Sequence, residues 1–232
     1  TFTVSLPPRA ARLGQLPPYP LAVLNQRVRE LTVQGIDVIN MDVGSPDLPP
    51  PPNVIEALSA SASRANTHGY SGYRGLPAFR LAVAEYYERR FGVTVDPERQ
   101  VLPAIGSKEG LVNLCLAYLD RGDAAIVPDI GYPSYSMGAY LANGSVNYVP
   151  LREETGYLPD YASFDAAALK NAKLLWINYP HNPTGAVATL AHYQQALDFC
   201  REHQLLLASD NPYVEITYDG IPAPSVLQTV GG

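Results

Sequence analysis

Apolar residues recur along this chain at two spacings, and the alternation between them predicts its architecture. Leu21, Leu24, Val28 and Leu31 step by three and four, the mark of an amphipathic helix, and Gly35 follows as a stop. Leu76–Phe91, ended by Gly92, reads as a second helix, and Ser107–Leu119 and Leu190–His203 read as two more. Between the helices lie short apolar runs: Val101–Ile105, Ala124–Val127, Val146–Val149, Lys173–Tyr179 and Leu205–Ser209. Val38–Val43, ending at Gly44, is a further short strand by the same reading. Runs such as LLWINY and LLLAS suit strands buried on both faces. Strand alternating with helix means βαβ units, so the expected fold is α/β, a mostly parallel sheet with helices on both sides. In such sheets the ligand crevice lies beyond the carboxyl ends of the strands.

Proline sets the N-terminal stretch apart. Ten of the 22 prolines fall within the first 52 residues, and Pro7, Pro8, Pro17, Pro18 and Pro20 predict an extended arm rather than a helix over residues 1–20. The run Pro49–Pro52 reads as a stiff hinge, with Asn53 and Glu56 spaced as a helix-starting cap. The expected domain boundary falls here, dividing residues 1–45 from residues 46–232.

Composition narrows the classes. Hydrophobic residues make up 47% of the 232 and charged residues only 16%, against roughly 25% in an average soluble domain, which excludes a disordered chain. A net charge of −6 argues against nucleic-acid binding, which needs clustered Lys and Arg. Cys115 and Cys200 cannot build a disulfide framework, and neither has a partner at metal-ligand spacing, so no metal is expected. The uncharged run Ile130–Leu151 holds Gly131, Pro133, Gly138, Asn143, Gly144 and Asn147, too many breakers and amides for a membrane span. The first residues lack the apolar run of a signal peptide. A soluble cytoplasmic protein is the expectation.

Three strand-to-helix junctions carry candidate chemistry. In VLPAIGSKEGLVNL, Gly106 permits a tight turn and Ser107 and Lys108 open a helix, where orphan N–H groups and the positive dipole end suit a phosphate. Ser is equally an ordinary helix cap. In LLWINYPHNPTG, Asn182 before Pro183 is a rigid position whose amide can point into the crevice, or a plain turn. In LLLASDNPYVEI, Asp210 ends an apolar strand, where a carboxylate is costly unless something cationic meets it, and Tyr213 comes three residues on. A strand-end Asp can also simply cap the next helix.

Taken together and in order, with the aromatic loop Gly131–Pro133 between them, these motifs resemble the class I/II aminotransferases, pyridoxal-phosphate enzymes of the aspartate-aminotransferase fold. NYPHNPTG resembles that family's signature loop, DNPYVEITYDG its Asp-x-x-Tyr segment, and YSGYRGLPAFRLAVAEYY its Tyr-x4-Gly helix approach. The resemblance implies a three-layer α-β-α fold type I architecture, with residues 1–45 as an arm and the start of a small domain and residues 46–232 as part of the large cofactor domain. It implies roles as well. Asp210 would hold the pyridine nitrogen protonated, and Asn182 and Tyr213 would bond the ring 3′-oxygen. Tyr132 would stack on the ring. Ser107 and Lys108, at the Gly106 turn, would hold the phosphate, joined by Tyr70 from the neighbouring subunit of a homodimer. Gly44 would leave room for the substrate carboxylate. The substrates would be an L-amino acid and a 2-oxo acid, and GSKEG, NYPHNPT and YDGIPAPS lie nearest the LL-diaminopimelate aminotransferase group, with aspartate or glutamate types also in view.

The family pattern also has a Schiff-base lysine and a carboxylate-clamping arginine downstream of the Asp-x-x-Tyr segment. The only lysines here are Lys108, Lys170 and Lys173, and none fits the Schiff-base position. The expectation is therefore an N-terminal portion of an aminotransferase, inactive alone. Two other readings stay open on sequence: a carbon–sulfur lyase of the same fold, which cystathionine cleavage would reveal, and a non-catalytic cofactor-binding module, which would need a fused DNA-binding segment.

Overall fold

The computed structural model describes residues 6–41, 44 and 46–232. Internal contacts divide these into two compact units, Pro17–Leu76 on its own, and the described residues up to Leu16 with Pro77–Gly232.

The smaller unit holds helices α1 (Pro20–Val33) and α2 (Pro52–Ala62). Each starts with a proline in its first turn, where the missing N–H is no loss and φ is already helical. The cap expected from Asn53 and Glu56 is not what begins α2: Pro51 stands at the N-cap and no side chain bonds there. Residues 38–41 of the expected strand Val38–Val43 are not in a ladder, and Asp42 and Val43 lie outside the described residues.

The larger unit is a four-stranded sheet in the order β2-β1-β3-β4, comprising β1 (Ala124–Pro128), β2 (Ser145–Val149), β3 (Ala172–Asn178) and β4 (Leu206–Asp210). Every neighbouring pair is parallel. Its helices are α3 (Pro77–Phe91), α4 (Ser107–Tyr118), α5 (Ser134–Leu141), the short α6 (Ala166–Leu169) and α7 (Leu190–Glu202). Alternation along the strands sorts the core into two layers. Ala125, Val127, Leu174 and Trp176 pack with Leu111, Cys115 and Leu119 of the α4 side and with Tyr135 and Ala139 of α5. Ile126, Leu175 and Ile177 face the other way, against Tyr193, Ala196, Phe199 and Cys200 of α7. Helix, sheet and helix make the three-layer α-β-α arrangement expected.

Several local readings change. Val101–Ile105 joins no ladder: it pairs with none of the four strands, and Leu102 and Ile105 stay exposed. Residues 11–15 of the arm form a 3-10 turn, in a stretch free of proline, against α5. α5 arises inside the uncharged run Ile130–Leu151, where breaker residues and burial all round hid any helical period. Gly138 explains its place: a Cβ there would lie 2.9 Å from Cys115 Sγ, so the glycine lets α5 approach α4 closely. α7 starts as read, with a reciprocal cap between Thr189 and His192.

Candidate cofactor site

Strand order reverses between β1 and β3, where the chain turns outward to β2 on one side and to β4 on the other. The crevice at that switch point is where a doubly wound sheet holds a ligand, and the loops after β1 and β3 form its walls.

Asp210 ends β4 beside it. Burial pushes its carboxyl above the usual carboxylate range, opposed by a hydrogen bond from the Tyr135 hydroxyl to Oδ2 at 2.8 Å. Tyr135 is 1% exposed and stacks on Trp176 at 5.0 Å between centroids. Burial, and then the Asp210 charge, push its hydroxyl far above the ordinary tyrosine range, so it remains a donor. A carboxylate in such a setting is strongly favoured by a cationic N–H partner.

Asn178, at the end of β3, joins this acid to the next loop. Its Nδ2 donates to the Asp210 carbonyl at 2.7 Å, and its Oδ1 accepts the Asn182 N–H at 2.8 Å. Asn182 then donates from Nδ2 to the Tyr213 hydroxyl at 3.3 Å. Both side chains border a cleft of about 520 Å³ whose walls include Pro183, Val187, Ile216 and Ile221. Glu215, two residues past Tyr213, accepts from Arg90 Nε at 3.0 Å and from the Tyr86 hydroxyl, fastening the Tyr213 turn to α3.

On the opposite wall, Tyr132 lies edge-on to Tyr135 at 6.0 Å, and the Lys108 ammonium sits 5.5 Å from the Tyr132 ring centre. Lys108 and Ser107 form the first turn of α4. Gly106 precedes them as the N-cap at φ 80°, with nothing within 4 Å of where its Cβ would stand, and Glu109 Oε2 accepts the Ile105 N–H just before it. The first turn of a twelve-residue helix, entered by a glycine with open space around it, fits an anionic group.

The structure thus links Lys108, Tyr132, Asp210, Asn182 and Tyr213 by successive contacts, with Ser107 and Gly106 adjoining. Tyr70 and Gly44 belong to the smaller unit and are exposed. Three residues had no assigned role on sequence: Tyr135, Asn178 and His181. A polar residue directly after the apolar run Leu174–Ile177, as Asn178 is, was the available signal. Tyr135 and His181 show their partners only in three dimensions. Among the described residues, no group of three or more His, Cys, Asp or Glu could hold a metal, and no helix is long and apolar enough to cross a membrane.

A doubly wound sheet with an acid, an amide and a tyrosine at one strand-end crevice defines a class, and the chain belongs to the aminotransferase class I and II family, whose profile matches residues 36–231. It is 45% identical over 222 residues to the LL-diaminopimelate aminotransferase of Moorella thermoacetica, a match covering 96% of this chain and 57% of that protein. Among solved structures it resembles substrate-bound BacF of Bacillus subtilis, with TM-score 0.89 and 38% identity over 97% of this chain and 57% of that one. It also resembles an aspartate aminotransferase mutant from Thermus thermophilus, with TM-score 0.86 and 30% identity, covering 96% and 58%. The chain spans a little over half the length of these relatives.

Proposed function

We propose that these residues form the cofactor-binding part of a pyridoxal-phosphate-dependent aminotransferase that moves an amino group between an L-amino acid and a 2-oxo acid. The observation carrying this reading is the half-buried Asp210 carboxylate, held by Tyr135 beside the switch point, with Asn182 and Tyr213 paired next to it. When bound, the cofactor supplies an electron sink for the substrate α-carbon. Asp210 would keep the ring nitrogen protonated by a charge-assisted hydrogen bond. Asn182 and Tyr213 donate toward the ring 3′-oxygen. Tyr132 covers one ring face and leaves the other to the reaction. The first turn of α4, with Ser107 and Lys108, holds the phosphate.

In the same reading the protein is a cytoplasmic homodimer, Tyr70 reaches the partner's phosphate, and Gly44 gives room to the substrate carboxylate. Residues 1–45 belong with a small domain and residues 46–232 with the large one. The likeness to LL-diaminopimelate aminotransferases supports an amino donor of diaminopimelate or aspartate/glutamate type. The test is a half-reaction of the complete protein with amino donor alone. Bound pyridoxal phosphate should become pyridoxamine phosphate as one equivalent of 2-oxo acid is released. No conversion with a broad set of donors, while thiol is released from cystathionine, overturns the reading in favour of a lyase.

A further inference from the structure

His181 lies inside the signature loop, yet none of the roles assigned to the site uses it. It is 3% exposed, and both ring nitrogens are engaged. Nε2 lies 3.2 Å from the carbonyl of Ile130, in the loop after β1, and Nδ1 lies 2.8 Å from Thr184 Oγ1, in its own loop after β3. A carbonyl only accepts, so Nε2 carries the proton and Nδ1 is the acceptor. Thr184 agrees with that assignment. Its N–H also points at Nδ1, at 3.4 Å, and its hydroxyl oxygen accepts the Ala186 N–H, leaving the hydroxyl proton for the ring.

We propose that His181 is a positioning residue, a latch fixed as the Nε2–H tautomer that ties the two walls of the crevice across the switch point and so sets the spacing between Tyr132 and Asn182. The proposal rests on the aminotransferase reading for what those two residues hold. The backbone of the loop after β3 closes on itself: His181 N–H donates to the Ala186 carbonyl and Gly185 N–H to the His181 carbonyl, both at 2.8 Å. It is the imidazole that reaches the other wall, 51 residues away in sequence. Ile130 stands two residues before Tyr132, and His181 stands immediately before Asn182, whose N–H is fixed by Asn178. The latch therefore acts one or two residues from each group meant to touch the ring. Burial lowers the His181 pKa and so favours the neutral ring, opposed in part by the Ile130 bond. A second ring proton, on Nδ1, would face the Thr184 N–H.

The experiment uses the complete protein with pyridoxal phosphate as probe and reads its Kd, the pH midpoint of the bound cofactor's visible band, and Tm. His181→Leu should weaken binding about tenfold, the equivalent of 1.4 kcal/mol, and move the midpoint, because Asn182 no longer meets the ring oxygen squarely. His181→Gln carries an amide N–H that can reach the Ile130 carbonyl and should recover most of both. A merely structural residue would lower Tm in both variants and leave the midpoint alone. If His181→Leu does not fold, Thr184→Val takes away the hydroxyl that bonds Nδ1 and accepts the Ala186 N–H, and the midpoint must still shift. Folded His181→Leu protein with unchanged Kd and midpoint overturns the latch, as does a glutamine variant no better than leucine, or an unmoved midpoint in Thr184→Val. Unmutated protein that binds no pyridoxal phosphate overturns the aminotransferase reading instead, and the latch with it.

Discussion

Asp210→Asn separates the two consequences of placing a carboxylate at the end of β4. Asparagine has nearly the same shape, and its Oδ1 can still accept the Tyr135 hydroxyl, now 2.8 Å from Asp210 Oδ2. What disappears is the charge. In the aminotransferase reading that charge faces a protonated ring nitrogen, and breaking a buried pair of this kind costs about 3–5 kcal/mol. At about 1.36 kcal/mol per tenfold, turnover of the complete protein should fall by roughly two to four orders of magnitude. Stability of the cofactor-free protein should move the opposite way. Burial raises the Asp210 pKa above its unfolded value, so between those two values the native state holds more protons than the unfolded one. Stability then falls as pH rises through that window, and the loss persists above it. The asparagine variant has no such proton to lose. Thermal melts of both proteins without cofactor, from pH 4 to pH 8, should show the original losing stability relative to the variant as pH rises. Near-normal turnover in the variant, or a cofactor-free variant less stable than the original at pH 8, would refute the assignment and leave Asp210 as a strand-end cap.

Tyr135→Phe should keep the stack on Trp176 and remove one hydrogen bond to a charged acceptor, worth about 1.5–3 kcal/mol. Cofactor Kd, measured by absorbance, should weaken by about one to two orders of magnitude. Gly138→Ala would press a methyl group to 2.9 Å from Cys115 Sγ, and overpacking of this kind costs about 1–3 kcal/mol, readable as a lower denaturation midpoint. For the dimer proposal, a Tyr70→Ala chain is mixed with an Asp210→Ala chain. If Tyr70 serves the partner's site, one site of each hybrid carries both defects and the other neither, so activity partly returns. If it serves its own, mixing restores nothing.

What the residues determined alone is local or sequential. Buried strands such as Leu174–Ile177 are apolar without interruption because both faces meet helices, and that pattern needs no knowledge of neighbours. The order of Ser107, Tyr132, Asn182 and Asp210 along the chain, each at or just past a strand end or at a helix start, was legible for the same reason. Tertiary structure decided which of these elements meet. Val101–Ile105 has the composition of a strand, but a strand exists only where another edge pairs with it, and none of β1–β4 does so. Ser134–Leu141 shows no helical period because α4 and the sheet bury it on several sides, so packing rather than amphipathic pattern makes α5 a helix. Tyr135 meets Asp210 across 75 residues, and His181 meets Ile130 across 51. Neither pairing leaves a trace in spacing, because the strand order β2-β1-β3-β4 is what brings those loop ends to one crevice.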